Sequence, residues 1–255
     1  MIDNFNENNR SENNILFLNG QNEVQIKSQI ARRINEYARK LSDLQIAELK
    51  QSVAALRDTT LENLIKGKTY PKMSVLVMLA NLSGRPMCSF IDDSYTNRQI
   101  DERYLTLIDG LDEKQQIKMI LRSWCEKYDI LNLYDRDIID MMFDNSRRES
   151  SSLIGYMLKL FRESENITKS DMAKILGNEV HSVGNAERGN NMYSFVNTYN
   201  TAIYFDVPID CFYIGQLEKK EFVYKSLIYK IFHNIPEKEE KFIYQYMKLY
   251  RESKL

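Results

Sequence analysis

Apolar positions along residues 153–213 recur at helical rather than strand intervals. Leu153, Met157, Leu160 and Phe161 form one stripe, and "ENIT" (165–168) then interrupts it. Thr168 followed by Asp171 is a capping-box-like pair, since the hydroxyl can accept from the N3 amide while the carboxylate reaches back to the cap. A second helix is predicted from there, carrying Met172, Ala173, Ile175 and Leu176 and with Gly177 as its stop. The next stretch, "NEVHSVGNAERGNN" (178–191), turns Val183 and Ala186 inward at a three-residue spacing. It leaves Val180, His181, Ser182, Asn185 and Arg188 on or near the open side, and Gly189 ends it. Tyr193 to Phe205 reads as a fourth helix with Phe195, Tyr199, Ala202 and Ile203 inward, and "DVPIDCFY" leads into a short fifth.

The chain is 255 residues long, which favours two domains, and its 9 Gly and 4 Pro leave long stretches free of helix breakers. An all-α protein is the expectation. Residues 1–24 read as a flexible polar leader, although "ILFL" (15–18) could dock on the body. Cys88, Cys125 and Cys211 are scattered and odd in number, and His181 and His233 are the only histidines. That argues against a disulfide framework or a metal site and fits the reducing cytoplasm. No apolar run is long enough for a signal peptide or a membrane span.

Five compact helices in about sixty residues resemble the phage-repressor helix-turn-helix family, also called Cro/CI or XRE. The resemblance rests on "ITKSDMAKILG", the aliphatic Val183, "AERG" and "FDVPIDCFY", without a gap. A looser copy precedes it. "LSDLQIAELK" (41–50) parallels "ITKSDMAKIL" (167–176), and "DTTLENLIKGKTYPKMSVLVMLANLSGRPMCSFI" (58–91) resembles the family's third helix, glycine stop, fourth helix and ending. Four extra residues between these halves read as one more turn on the second helix; the alternative is that the segment is not a true repeat. "KSQIARRINEYARKL" (27–41) would be the first helix.

The repeat continues past the small domains. "LTLIDGLDEKQQIKMIL" (105–121) is similar to "LIYKIFHNIPEKEEKFI" (227–243). Gly67 and Gly189 are 122 positions apart, and Leu111 and Ile235 are 124 apart. The expected architecture is two lambda-repressor-like helix-turn-helix bundles, at 25–93 and 151–215, each followed by a helical hairpin, at 94–150 and 216–255. The aromatic stripe of 224–250 and the segment 121–143 suit packing of the two halves or pairing of two chains.

The resemblance implies a DNA-binding transcriptional regulator, such as a repressor, whose third helix enters the major groove. Base-reading positions would be Asp58, Thr59 and Asn63 in the first copy and Val180, His181 and Asn185 in the second. An Asn amide can pair bidentately with adenine. Phosphate contacts would fall to Arg32, Arg33, Lys66, Lys68, Tyr70 and Lys72, with Arg188 in the second copy. Double-stranded DNA is the implied partner and a homodimer the implied assembly, with no cofactor.

Charge divides the copies, because the whole chain carries only −1. Residues 27–72 hold ten Lys or Arg against five acids, whereas 153–213 hold five against seven. The second copy, closer to the family, is therefore the electrostatically poorer DNA binder. Gly184 within its third helix costs about 1 kcal/mol relative to Ala, and Ala186 is small for that position. Both suggest a loosened helix, and either a shift to protein contacts or a close backbone approach. Asn63 and Asn185 also suit ordinary solvated positions, and "KGKTYPK" a plain soluble loop. No Gly-rich phosphate loop, nucleophile elbow or metal-binding pair is present, so no catalytic residue is assigned. The rival reading is a protein-interaction or anti-repressor module that keeps the fold without reading DNA, with its partner on the second domain or the C-terminal helices.

Overall fold

A computed structural model describes residues 23–40, 42–55, 66, 68–91, 94–143, 151–191 and 193–254. The described residues are all-α, with twelve α-helices, short 3-10 turns and no strand. They form two compact units. One is the described part of Met1–Asp93 together with Tyr193–Asp206, and the other is the described part of Ser94–Met192 together with Val207–Leu255.

The first unit holds α1 (Glu23–Ala38), α2 (Asp43–Ala55), α3 (Met73–Ser83), a 3-10 turn at Met87–Phe90, and α10 (Phe195–Tyr204). Helix α1 starts four residues before the expected 27 and buries Ile30, Ala31 and Ile34. Ser42 begins α2 with a reciprocal cap: the Gln45 amide donates to its hydroxyl (3.3 Å) while its own amide donates to Gln45 Oε1 (3.0 Å). Helix α2 runs on past Lys50 to Ala55, 13 residues against the eight of Lys169–Leu176. Helix α3 buries Val75, Leu76, Leu79 and Ala80 and stops at Gly84 in the left-handed conformation (φ 63°).

Helix α10 corrects one reading. Thr198 and Thr201 are buried beside Phe195 and Ala202, whereas Tyr199 and Ile203 are only half-buried. The threonines can be inside because their hydroxyls donate to backbone oxygens one turn back, Ser194 O at 3.0 Å and Asn197 O at 2.7 Å. A buried hydroxyl already hydrogen-bonded within its own helix carries little desolvation cost.

The second unit contains α4 (Glu102–Leu105), α5 (Glu113–Lys127), α6 (Arg136–Met141), α7 (Ser151–Ser164), α8 (Lys169–Leu176), α9 (Val180–Glu187), α11 (Glu221–Phe232) and α12 (Glu237–Glu252). Asp112 and Gln115 make a full capping box at the start of α5. Helix α5 packs against both α11 and α12, so the two hairpin segments bury their apolar stripes on each other. Trp124 from α5 is the hub, meeting the Phe161 ring of α7 edge-on at 5.1 Å, and Phe161 meets Phe212 at 5.2 Å. Each such aromatic pair contributes about 0.5–1.5 kcal/mol beyond its burial. Tyr104 of α4 stacks on Phe232 at 3.9 Å, and its hydroxyl donates to Glu240 Oε1 at 2.7 Å. Among the described residues no helix is long and apolar enough to cross a membrane.

Left-handed residues recur 122 and 124 positions apart. Gly84 (φ 63°) ends α3 where Asp206 (φ 53°) follows α10, and Gly110 (φ 79°) matches Asn234 (φ 53°) at the hairpin turns. Asp and Asn tolerate this conformation better than other non-Gly residues, so they can serve such a turn as glycine does.

Lys127 ends α5 by donating to Lys230 O (3.2 Å) and Ile231 O (2.6 Å), the carbonyls in the last turn of α11. Burial, followed by the nearby Lys230 charge, lowers its pKa from 10.5 to about 8. The unfolded chain then binds more protons than the folded one between those values, so this group makes stability rise with pH across that window and contributes least below pH 8. We predict an NMR titration of the Lys127 ammonium with a midpoint near pH 8. The stability of wild type relative to Lys127→Met should rise by on the order of 2 kcal/mol across the same window. A midpoint above pH 10 would contradict this.

Candidate nucleic-acid interface

Helices α8 and α9 are joined by three residues, Gly177, Asn178 and Glu179. Thr168 caps α8 by accepting from the Asp171 amide (3.1 Å), and its hydroxyl donates to the Asp171 carboxylate (2.6 Å). That bond, then Lys174, holds the Asp171 carboxyl below the usual range. At the other end Gly177 is left-handed (φ 62°), its amide donating to Lys174 O (3.2 Å), while the Asn178 amide donates to Ala173 O (2.8 Å). This paired closure satisfies the last carbonyls of α8 and redirects the chain within one residue. Gly189 (φ 72°) repeats it after α9, with Gly189 N donating to Ala186 O and Asn190 N to Asn185 O.

Helix α9 is held from behind. Val183, Gly184 and Ala186 are buried against α7 and α8. Helix α7 comes so close that a Cβ on Gly155 would lie 2.5 Å from Ala186 O and 2.6 Å from Glu187 O. The expected close backbone approach is thus real but belongs to Gly155, not Gly184. At Gly184 the neighbour is the Arg188 guanidinium, 3.3 Å from where a Cβ would stand, and α9 passes through Gly184 as an uninterrupted helix. The small Ala186 fits the same close crossing.

A buried ion pair completes the attachment. Arg162 of α7 is 4% exposed, and its Nε and Nη2 donate to the two carboxylate oxygens of Glu187. Its Nη1 donates to Ile167 O at 2.6 Å, and the Glu187 side chain is itself 4% exposed. Glu163 Oε1 also accepts from Nη2 (2.6 Å) and Lys169 Nζ lies 3.6 Å from the Glu187 carboxylate, so the bidentate pair sits inside a small charge network whose geometry orients the end of α9 on α7. The charge balance of 153–213 includes both Arg162 and Glu187 without pairing them. Each directly follows a core residue, Phe161 or Ala186, which is the signal that was available.

The opposite face of α9 is open. Val180 is 49% exposed, His181, Ser182 and Arg188 are exposed, and Asn185 is half-buried. Arg188 Nη2 donates to Asn185 Oδ1 at 2.7 Å, so two of the sequence-predicted residues are brought together. Among the described residues no group of three or more His, Cys, Asp and Glu side chains is placed to hold a metal ion.

In the first unit, Asp58, Thr59 and Asn63 lie outside the described residues. Lys66, Lys68 and Lys72 are exposed. Tyr70 is turned inward: its ring stacks on Phe195 at 5.0 Å, its hydroxyl is buried, and Lys27 Nζ lies 4.7 Å from its ring centre. Arg33 donates to Ser89 O at 3.0 Å and ties α1 to the 3-10 turn, while Arg32 is exposed beside Glu36 at 3.9 Å. Arg32, Arg33, Lys40 and Arg85 share one recess of about 200 Å³ with Glu36 as its acid.

Replacing Glu187 by Ala should cost about 1–3 kcal/mol, because the buried guanidinium loses two hydrogen bonds to a carboxylate while Glu163 Oε1 (2.6 Å) and Ile167 O (2.6 Å) still accept from it. Gly155→Ala should cost about 1–3 kcal/mol through overpacking, whereas His181→Ala should stay within about 0.5 kcal/mol. Urea denaturation curves check all three, and a Glu187→Ala midpoint equal to that of wild type would refute the buried pair. No protein-family model, curated protein or solved structure matches the chain.

Proposed function

We propose that the protein is a sequence-specific DNA-binding transcriptional regulator with tandem helix-turn-helix domains of the phage-repressor (XRE) type. The observation that carries this reading is α9, an eight-residue helix locked from behind by α7 and α8 and presenting Val180, His181, Asn185 and Arg188 on its open face. A helix this size fits the major groove of B-DNA. The three-residue connection from α8 supports the same docking, with α8 lying across the backbone.

Asn185 is the proposed base reader in the second copy. Its Oδ1 accepts from Arg188 but has a second lone pair, so it can also accept from adenine N6 while the amide donates to N7. Arg188 thereby orients the reader and stands near the phosphates. In the first copy Asn63 takes the equivalent role, with Asp58 and Thr59 as the further proposed readers. Lys66, Lys68 and Lys72 neutralise phosphates there, Arg32 and Arg33 add basic charge on α1, and Tyr70 supports the loop through its stack on Phe195. The proposed partner is duplex DNA, bound by a homodimer in the cytoplasm.

A protein-interaction role has one observation in its favour. Val180 is 49% exposed at the start of α9, and Phe242 and Leu249 are 56% and 65% exposed on α12, apolar area that a protein partner would cover.

Binding to random duplex DNA at increasing salt separates the readings. The regulator reading expects affinity to fall steeply, by about 10³ or more between 50 and 200 mM salt if six or more phosphates are contacted. A flat salt response would favour the interaction module. Lys66→Ala with Lys68→Ala should weaken binding to all sequences about equally, whereas Asn185→Ala should remove about 1–3 kcal/mol of preference at one base pair.

A further inference from the structure

Helix α12 packs on α5, buries Ile243 and Met247, and leaves its other side in solvent. On that side Lys238, Phe242, Gln245, Leu249 and Glu252 are all exposed. They follow one another at steps of four, three, four and three residues, the spacing that keeps side chains on one seam between two paired helices. Phe242 is the one phenylalanine exposed among the described residues, and Leu249 stands two turns further along the same stripe.

The charges of α12 divide between this seam and its flanks. Lys241 pairs with Glu237 and Glu240 with Arg103, and both pairs lie off the seam. The seam itself begins on Lys238 and ends on Glu252, 14 positions apart and so about 21 Å along the axis. A parallel partner of the same sequence would set Lys against Lys and Glu against Glu. An antiparallel one brings Lys238 of each chain to Glu252 of the other. Gln245, midway between them, then meets its own copy, and an amide can both donate and accept. The seam is therefore complementary to itself under a two-fold rotation, as a closed symmetric dimer requires.

We propose that α12 pairs with α12 of a second copy of this chain, the two helices antiparallel. Phe242 and Leu249 are covered in the middle, and a Lys238–Glu252 ion pair closes each end. In naming the face of the homodimer, this rests on the regulator reading. One helix from each side gives an area at the low end of specific interfaces, so the dissociation constant is expected on the order of 10–100 µM. The end pairs are solvated and set orientation more than strength.

Sedimentation equilibrium of the full chain tests the pairing, and should show monomer passing to dimer over that range. Phe242→Gln combined with Leu249→Gln should weaken dimerisation at least about tenfold, with helix content by circular dichroism unchanged because both side chains are exposed. Lys238→Glu and Glu252→Lys should each weaken self-association by about fivefold, and mixing the two variants should restore it, since an antiparallel mixed pair has opposite charges at both ends. Gln245→Cys should cross-link two chains on mild oxidation whereas Lys238→Cys should not; Cys88, Cys125 and Cys211 are buried. A chain that stays monomeric at about 500 µM would overturn the pairing together with the homodimer. A dimer indifferent to the Phe242 and Leu249 changes would overturn this face and leave the homodimer standing. Cross-linking through Lys238→Cys, or no recovery on mixing, would overturn the antiparallel arrangement. Duplex binding by the same wild-type samples decides the DNA reading separately: its absence refutes the regulator and leaves the sedimentation result intact.

Discussion

The close crossing of α7 over the end of α9 is the constraint on which the exposed face of α9 depends. Eight residues are too few for a stable helix in water, since nucleation is costly and short helices fray. Helix α9 exists because Gly155 lets a neighbouring backbone come within contact of Ala186 and Glu187, and because Arg162 grips the Glu187 carboxylate from the same helix. The ion pair is not the chief source of stability, as a buried pair often only balances its own desolvation. Its effect is on orientation: the end of α9 has one place to go.

That anchoring is what would let so short a helix carry the proposed recognition surface. The side chains on its open face need no interior contact to hold them, so Val180, His181 and Ser182 are free to be chosen for a partner. Asn185 and Arg188 are oriented on each other instead. Behind α7 stands the Trp124, Phe161 and Phe212 cluster, which connects it to α5 and so to the paired hairpin segments. Helix α7 therefore joins α9 to the paired hairpin segments by direct packing.

The two segments of the chain keep the same punctuation with different letters. Ser42 with Gln45 and Thr168 with Asp171 start corresponding helices by the same hydroxyl-to-amide cap. Gly84 and Asp206, then Gly110 and Asn234, occupy left-handed positions at matching places. These positions share backbone geometry and not residue identity, since several short polar residues satisfy one turn.

Local signals were legible from the residues alone. The stops at Gly177 and Gly189, the cap at Thr168, the inward Val183 and Ala186 and the all-helical class follow from periodicity and turn chemistry, which act within a few residues. The open face of α9 was legible for the same reason. What depends on distant partners was not. Arg162 and Glu187 are 25 residues apart and became a buried pair only where two helices cross, Thr198 and Thr201 proved buried where Tyr199 and Ile203 were expected, and Tyr70 turned from a phosphate contact into a stack on Phe195. Burial and pairing are properties of the assembled core, decided by which side chains arrive from elsewhere, and a one-dimensional pattern of polarity carries no record of that arrival.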